Sequence, residues 1–394
     1  MSVSLNSPAR CSYFGSCGGC ATQNIPYDEQ LKLKAERVAA ALALADVSVA
    51  LKIHPSPQIW YYRNKMEFGV GDIYPAPPAG ERLFHLGLKP KGRWYEVLDL
   101  SECYLLSPET PGLLEAVRVW AHENGISPYN KHKHAGLLRN LVVREAKNAP
   151  ERLVMIVTSP GEIAPEPLIK AVKAAYPATT ILRGISAKLS DTAVADTLEV
   201  WEGPGFITEV LNFKGRQVRF RVSPQSFFQT NTKGAEVLYG ILREWAADLS
   251  PKALLDLYCG AGAIGLSLAD LCGNVAGAEI NPGSVEDAKA NAKLNGISNA
   301  DFFAASVERF LPELLDRSPD VVVVDPPRAG LHPNALKELL ARPPKNILYV
   351  SCNPEALGRD LAAMNGLYGV EDAAMVDLFP HTEHVETAVR LARR

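Results

Sequence analysis

The chain has 394 residues, a net charge of −3 at pH 7, 47% hydrophobic residues and 22% charged residues. This is the composition of an ordinary soluble globular protein of two or three domains, and its charge excludes a global attraction to nucleic acid, so any RNA-binding surface must be local. The sequence has no run of about 18 apolar residues and no signal-peptide core, so we expect a cytoplasmic protein that does not enter a membrane.

The seven cysteines are an odd number in a chain without an export signal, which favours metal binding or catalysis over a disulfide framework. Cys11, Cys17 and Cys20 lie in CSYFGSCGGC, and Cys103 is the nearest candidate for a fourth ligand. Three close cysteines and one distant cysteine are typical of an iron–sulfur site, whereas zinc sites more often use two paired knuckles. The spacing favours a cluster over structural zinc, with unligated thiols as the third alternative.

The rest of the N-terminal half reads as an α+β region that ends near residue 203. A helix is predicted at 27–44, and residues 53–100 are rich in β-type runs, with a strand at 95–100 and a proline-rich loop at 74–78. Further strands are predicted at 137–143, 152–158 and 179–185, with a helix at 167–175.

Basic residues alternate with aromatic residues in three segments of this half, at 61–65, 89–95 and 129–134. Cations for phosphates beside flat rings for unstacked bases are what recognition of single-stranded RNA requires. Each segment alone is also compatible with a solvated surface. Together they indicate RNA contact.

The C-terminal half begins with a polar loop at 221–231, which suits either a planar ligand or the capping of the helix predicted at 233–247. A buried strand at 253–258 then runs into the glycine-rich turn CGAGAIG, and Glu279 ends the strand predicted at 274–280. Glycines allow close backbone approach to a ligand, and an acidic residue at this distance can accept hydrogen bonds from a ribose. The pattern predicts an adenosine-type cofactor.

Two further strand ends indicate the chemistry. VVVVDPPR places Asp325 in an Asp-Pro-Pro turn, which is a methyltransferase feature, and the apolar run NILYVS ends at Cys352. A thiolate that adds to carbon 6 of a pyrimidine makes carbon 5 nucleophilic enough to attack a sulfonium methyl. The proton on carbon 5 must then leave, so a general base is required. His381, Glu383, His384 and Glu386 are candidates that the residues alone do not separate.

FFQTN, DLYCGAG, VVDPPRAGL, SCNP and HTEHVET, in this order and spacing, resemble the RNA uracil-5 methyltransferase family of class I S-adenosylmethionine enzymes. The cysteine segment with Cys103 resembles the four-cysteine [4Fe-4S] site of the branch that acts on 23S ribosomal RNA. The resemblance implies that Cys352 is the nucleophile, Glu386 is the base and Phe227 packs near a flipped uracil. It implies a cofactor site at Gln229, Tyr258, Glu279 and Asp325, and cluster ligands at Cys11, Cys17, Cys20 and Cys103.

The chain departs from the family pattern at two places. The cysteine segment starts at Cys11, so we expect no N-terminal β-barrel RNA-binding domain, and residues 304–306 lack the acidic residue that many class I enzymes carry near adenine. Cys259 and Cys272 are expected to be packing residues.

These observations predict an α/β protein with a C-terminal Rossmann-like class I methyltransferase domain and an N-terminal α+β region for iron–sulfur and RNA binding. The expected domains are 1–105 with the cysteine segment, 106–205 for RNA, and 206–394 for methyl transfer. The expected substrate is 23S ribosomal RNA, bound by a monomer that binds no DNA. The alternatives are a transfer-RNA methyltransferase and a non-catalytic RNA-binding iron–sulfur protein; a cytosine-5 enzyme ranks lower because it would have Pro-Cys where this chain has Asp325-Pro-Pro.

Overall fold

The structure is a computed structural model that describes residues 7–71, 84–93, 95–190 and 192–394. The proline-rich loop predicted at 74–78 and Trp94 of the second basic segment lie outside the described residues. The chain divides into two compact units. The first is Met1–Pro26, Ile59–Glu209 and Val222–Gln225, and the second is Tyr27–Gln58, Val210–Arg221 and Ser226–Arg394.

The helices and strands follow the predicted pattern along most of the chain. The helices are α1 (Tyr27–Ala43), α2 (Thr110–Glu123), α3 (Pro165–Ala175), α4 (Thr232–Leu249), α5 (Ala263–Leu268), a 3₁₀ turn (Ala269–Leu271), α6 (Pro282–Leu294), α7 (Val307–Leu315), α8 (Pro333–Ala341) and α9 (Pro354–Met364). The strands are β1 (Leu51–His54), β2 (Lys65–Gly71), β3 (His85–Leu88), β4 (Leu98–Asp99), β5 (Leu138–Glu145), β6 (Arg152–Thr158), β7 (Thr180–Ile185), β8 (Thr197–Glu202), β9 (Ile207–Phe213), β10 (Arg216–Val222), β11 (Ala253–Leu257), β12 (Asn274–Glu279), β13 (Ala300–Ala304), β14 (Val321–Val324), β15 (Asn346–Ser351), β16 (Tyr368–Val376) and β17 (Glu386–Arg393).

The first unit is a seven-stranded sheet in the order β4-β3-β2-β5-β6-β7-β8. Its neighbours are antiparallel except β6 and β7, which run parallel and are joined through α3. Apolar residues of α2 and α3, such as Leu113 and Val172, are completely buried against residues of the sheet such as Phe68 and Ile156. The strand predicted at 95–100 is shorter than expected and spans Leu98–Asp99.

The second unit is an eight-stranded sheet in the order β1-β16-β17-β15-β14-β11-β12-β13. The five strands from β15 to β13 are parallel, and β17 runs antiparallel between β15 and β16. This mixed α/β fold agrees with the predicted Rossmann-like domain. β1, which comes from the N-terminal part of the chain, pairs parallel to β16 at one edge. Strand order reverses between β11 and β14, and in open α/β sheets ligands bind at the carboxyl ends of the strands at such a point.

Strands β9 and β10 form a separate two-stranded sheet. Gly215 has a φ of +76° in the turn between them, a conformation that glycine adopts without steric cost. Among the residues that the structure describes, no helix combines the length and the apolar character that crossing a bilayer needs. The three predicted domains do not coincide with the two compact units, because Tyr27–Gln58 packs with the C-terminal half. The functional division at 105/106 and 205/206 stays a prediction.

Candidate active site

Cys352 lies in the turn between the buried strand β15 and helix α9, as predicted. Asn353 caps the helix by accepting hydrogen bonds from the backbone N–H groups of Glu355 (3.1 Å) and Ala356 (3.3 Å), and Pro354 occupies the first helical turn. The Asn353 side chain also donates to the carbonyl of Arg328 (2.8 Å), in the loop after β14. The turn that carries Cys352 is therefore tied to the Asp-Pro-Pro loop.

Glu386 is the first residue of β17, which is hydrogen-bonded to β15. Ser351 pairs with Thr387 across this antiparallel ladder, so Cys352, which follows Ser351, lies beside Glu386, which precedes Thr387. The Glu386 side chain is 3% exposed, and its Oε2 atom has no hydrogen-bond partner among the described residues. A buried carboxyl oxygen without a partner is unusual and is typical of a group that awaits a ligand or a proton transfer.

Acidic groups set the protonation of this site. Burial raises the pKa of Asp325 to about 7, and burial together with Asp325 raises the pKa of Glu386 well above its usual range. Burial raises the pKa of the Cys352 thiol to about 11, with further contributions from Glu386 and Asp325. Arg328 acts in the opposite direction on both Cys352 and Glu386. In the free protein the nucleophile candidate is thus a neutral thiol at pH 7.

The four candidate bases occupy different environments. His381 is buried, and its backbone N–H donates to Oε1 of Gln30 in α1 (2.9 Å). Glu383 and His384 are exposed, and His384 lies 3.4 Å from the Arg328 guanidinium. Glu386 is the candidate that the strand register brings beside Cys352.

The glycine turn after β11 lies at the same edge of the sheet. Gly260 and Gly262 have φ values of +55° and +80°, and Tyr258 has a φ of +62°, which is strained for a residue with a side chain. Glu279 ends β12 and accepts hydrogen bonds from the backbone N–H groups of Gly260 (3.2 Å) and Asn281 (2.8 Å). The structure therefore brings Glu279 to the glycine turn, as the predicted cofactor site requires.

The polar loop before α4 combines a cap with an exposed ring. Asn231 caps α4 by accepting from the Gly234 N–H (2.9 Å), and it donates to Ser56 Oγ (3.1 Å) and to the carbonyl of Leu378 (3.0 Å). The capping alternative is thus confirmed for this loop. Within it Gln229 is buried, whereas Phe227 is 65% exposed.

Asp256, the fourth residue of β11, was not predicted from the sequence. This carboxyl is fully buried, accepts a hydrogen bond from the N–H of Gly265 in α5 (2.8 Å), and has a pKa that burial raises to about 7. Its signal in the sequence is a lone acidic residue in the otherwise apolar run ALLDL. Buried carboxyls that are only partly hydrogen-bonded cluster at functional sites.

In the first unit, the four predicted ligand cysteines line one cavity. Its wall also contains Tyr13, Leu88, Leu100 and Leu105. The backbone N–H of Gly19 donates to the Cys17 sulfur (3.3 Å). A backbone hydrogen bond to a ligand sulfur is one of the contacts that tune iron–sulfur centres.

Burial raises the pKa of every thiol in this cavity, and that of Cys20 to about 12. The pKa of Cys11, Cys17 and Cys20 is raised further by neighbouring cysteines, which indicates that the sulfurs are near one another. Over the described ranges, no three His, Cys, Asp or Glu side chains are gathered closely enough to hold a single metal ion. The four thiols share a cavity but do not converge on one ion.

The basic and aromatic segments of the first unit make ring contacts with one another. Tyr95 of the second segment lies against His132 of the third, with ring centroids 5.7 Å apart. In the third segment the Tyr129 ring carries the Arg139 guanidinium at 4.2 Å and lies 6.4 Å from His134. Both aromatic groups thus lie beside basic side chains.

Comparison with known proteins identifies relatives of the whole chain. A family model described as tRNA (Uracil-5-)-methyltransferase matches residues 193–394. A protein of Caldanaerobacter subterraneus subsp. tengcongensis, described as an uncharacterized RNA methyltransferase, is 39% identical over 383 residues, which are 95% of this chain and 83% of the relative. The tRNA (uracil(54)-C(5))-methyltransferase of Pyrococcus horikoshii is 33% identical over 383 residues, covering 97% of this chain and 85% of that protein.

Among solved structures, the tRNA (uracil-54, C5)-methyltransferase of Pyrococcus abyssi in complex with S-adenosyl-L-homocysteine is similar along nearly the full length. The similarity covers 96% of this chain and 86% of that chain, with a TM-score of 0.78 and 30% sequence identity.

Proposed function

The chain belongs to the tRNA (uracil-5-)-methyltransferase family, and we propose that it transfers a methyl group from S-adenosylmethionine to carbon 5 of a uridine in RNA. The observation that carries the proposal is the strand register that brings Cys352 beside the buried Glu386, next to Asp325. A thiol nucleophile paired with a buried base is what methylation at a pyrimidine carbon 5 requires.

The second unit fits S-adenosylmethionine. The glycine turn leaves the backbone open to a ligand, Glu279 presents carboxylate oxygens beside it, and Asp325, once ionised, would complement a sulfonium cation. Gln229, Tyr258, Glu279 and Asp325 would hold the cofactor, which supplies an electrophilic methyl group. The Pyrococcus abyssi relative was solved with the demethylated product of this cofactor.

We assign the chemical roles as follows. Cys352 would give its proton to solvent and its thiolate would add to carbon 6 of the uracil, so that the electron pair moves to carbon 5, which would take the methyl group as S-adenosylhomocysteine leaves. Glu386 then takes the proton from carbon 5, the double bond between carbons 5 and 6 re-forms, and the Cys352 thiolate leaves. A pKa of Glu386 raised by burial makes its carboxylate a stronger base than an exposed glutamate.

For the RNA, we propose a uridine of 23S ribosomal RNA, on the strength of the cysteine segment. A second candidate is transfer RNA, because the Pyrococcus relatives that are similar along the full chain carry that activity in their names.

For the cysteine cavity, we propose a [4Fe-4S] cluster held by Cys11, Cys17, Cys20 and Cys103. A single zinc ion would need all four sulfurs about 2.3 Å from one point, whereas a cluster spreads its ligands over several iron atoms. The four cysteines that line this cavity are the number and type of ligands that such a cluster takes. Its role would be structural, because methyl transfer from a sulfonium needs no electron. A cytoplasmic monomer stays a prediction.

The test is mass mapping of ribosomal and transfer RNA from a strain that lacks the gene, before and after incubation with the purified protein and S-adenosylmethionine. Loss and recovery of one methyl mass at a 23S uridine would support the first proposal, and a change confined to transfer RNA would support the second. No change in either RNA would contradict both.

A further inference from the structure

Beside the cysteine cavity, one arginine and three aromatic rings form a compact group, which we call the Arg10 platform: Arg10, Trp60, Tyr61 and Tyr104. The Arg10 guanidinium carbon lies 4.3 Å from the ring centroid of Tyr104, 5.2 Å from that of Trp60 and 5.4 Å from that of Tyr61. An Arg10 nitrogen also donates to the Tyr61 hydroxyl (3.2 Å). Arg10 is exposed and the three rings are partly exposed, so the platform faces solvent.

The backbone holds the platform in a strained conformation. Tyr61 has a φ of +55°, a region that glycine occupies freely and that costs energy for a tyrosine. Hydrogen bonds from the N–H groups of Tyr61 to Tyr104 O (2.7 Å) and Arg63 to Leu105 O (2.9 Å) fix the two segments together. Strained residues that the surrounding structure holds in place are frequent at binding sites.

The charges around the platform indicate what it binds. The Tyr104 hydroxyl donates to Glu102 (2.9 Å), and the same carboxylate accepts from the backbone and the hydroxyl of Ser12. The Glu102 carboxylate offsets the positive charge of Arg10 beside the rings, so the platform does not select for a phosphate and suits an uncharged flat group. Unstacked nucleobases bind on aromatic rings and on the plane of arginine guanidinium groups.

We propose that the Arg10 platform is a stacking subsite for an unpaired base of the substrate RNA, an inference that rests on the proposed RNA methyltransferase function. All four residues of the platform belong to the first unit. Arg10 precedes Cys11 and Tyr104 follows Cys103, so the platform is built from the neighbours of two proposed cluster ligands. Loss of the cluster is therefore expected to disturb it.

The test measures RNA binding by the full chain in a Cys352→Ala background, where no covalent adduct forms. The probe is a fluorescein-labelled single strand of about twelve uridines, with a duplex of equal length for comparison. Arg10→Ala and Tyr104→Leu are expected to weaken single-strand binding by roughly 5- to 100-fold, while duplex binding changes by less than about twofold. Arg10→Lys keeps the charge but not the flat plane, so it should remain weakened.

The matched control is Arg317→Ala in the second unit, which removes another exposed arginine that lies 5.1 Å over an aromatic ring, Phe303. Its single-strand binding should equal that of the background protein. Circular dichroism establishes that each variant is folded, and Trp60→Phe should remove RNA-dependent quenching of tryptophan fluorescence. The fluorescence readout relies on Trp60→Phe alone, so it remains informative even if Arg10→Ala or Tyr104→Leu folds poorly.

Unchanged binding in both Arg10→Ala and Tyr104→Leu would overturn the proposal, and so would full recovery in Arg10→Lys, which would leave only a charge contact. Equal losses on single strand and duplex would also overturn it. Methylation by the chain with Cys352 intact is scored separately. If the intact chain does not methylate RNA but the platform variants selectively lose single-strand binding, the proposed function is contradicted and the subsite is retained. If the intact chain methylates RNA but the platform variants bind the single strand normally, the subsite is contradicted and the proposed function is retained.

Discussion

Cysteine side chains occur in two regions of the molecule, at Cys352 and in the four-cysteine cavity. In both regions burial raises the pKa of the thiol. Around Cys352 the neighbours are the carboxyls of Glu386 and Asp325, at the end of a parallel sheet. Around Cys20 they are other thiols, an amide side chain and apolar residues. A raised pKa therefore does not tell a nucleophile from a ligand. The neighbouring groups differ and motivate the two proposed roles, because carboxyls can move protons whereas a group of thiols can share metal ions.

The largest expected effect is a loss of methylation with little change in folding. Cys352→Ala should reduce methylation by at least about ten-thousand-fold, because the proposed addition of its thiolate to the ring is lost, while RNA binding and the melting temperature stay near wild-type values. Single-turnover methylation of RNA extracted from the deletion strain measures this. Substantial residual methylation would show that Cys352 is not the nucleophile, and the contrast between Cys352 and the thiols of the cavity would then not hold.

Glu386→Gln should reduce turnover by roughly 100- to 10,000-fold, because the proton on carbon 5 cannot be removed. The thiolate then cannot leave, so a covalent protein–RNA adduct should accumulate and survive denaturing electrophoresis. The neighbouring Glu383→Gln change, on an exposed side chain, is the matched control and should leave turnover unchanged. Loss of activity without an adduct would place the role of Glu386 before the addition step.

The same Glu386→Gln change should stabilise the protein by about 1 kcal/mol at pH 8. The pKa of Glu386 is raised in the folded state, so the folded state binds more protons than the unfolded state, and stability falls as pH rises above the unfolded value near 4.5. Because glutamine does not ionise, the variant does not lose stability in this way as pH rises. The gap between variant and wild type, from urea unfolding, should close near pH 4; a gap independent of pH would contradict the protonation argument.

In the four-cysteine cavity, Cys20→Ser should remove the bound metal without removing a group that takes part in methyl transfer. We expect loss of iron and of visible absorption, and a fall in melting temperature of about 5 °C or more, because metal binding contributes to folding. Cys272→Ser is the matched control: burial also raises the pKa of that thiol to about 12, but it lies outside the cavity. Equal iron content in both variants would exclude the cavity as the metal site.

The smallest expected effect concerns cofactor charge. Asp325 gains its negative charge as pH rises through about 7, so the affinity for the cationic S-adenosylmethionine should rise relative to that for neutral S-adenosylhomocysteine, by about fivefold between pH 6 and 8. Calorimetric titration with both ligands measures the ratio. Asp325→Asn should make the ratio of the two affinities independent of pH. A ratio that still rises with pH in that variant would assign the pH dependence to Asp256 or another group.

Local pattern was sufficient for most elements of the catalytic half. The apolar run that ends at Cys352, the glycine turn after β11 and the end of β12 at Glu279 lie where the sequence predicts them, because burial and turn chemistry act over a few residues. The choice among the four candidate bases needed more. It depends on the antiparallel register of β17 between β15 and β16, which is a long-range pairing that no local pattern reveals.

The N-terminal helix shows the same limit. Residues 27–44 are correctly predicted as a helix, but the prediction grouped them with the cysteine segment, whereas the structure packs α1 into the second unit. The anchors are the buried pair of Lys34 with Asp377 (2.7 Å) and the hydrogen bond from Tyr27 to Asp377 (2.9 Å). Both contacts join residues more than 340 positions apart, so sequence spacing could not predict them.

The placement of α1 and β1 has a consequence for synthesis on the ribosome. β1 pairs with β16, and α1 contacts the segment that precedes Glu386, although these partners follow more than 300 positions later in the chain. The second unit therefore cannot close until β16 and that segment have been synthesised. A fragment that starts at residue 206 would lack the edge strand β1 and the helix α1, which contacts the segment before Glu386.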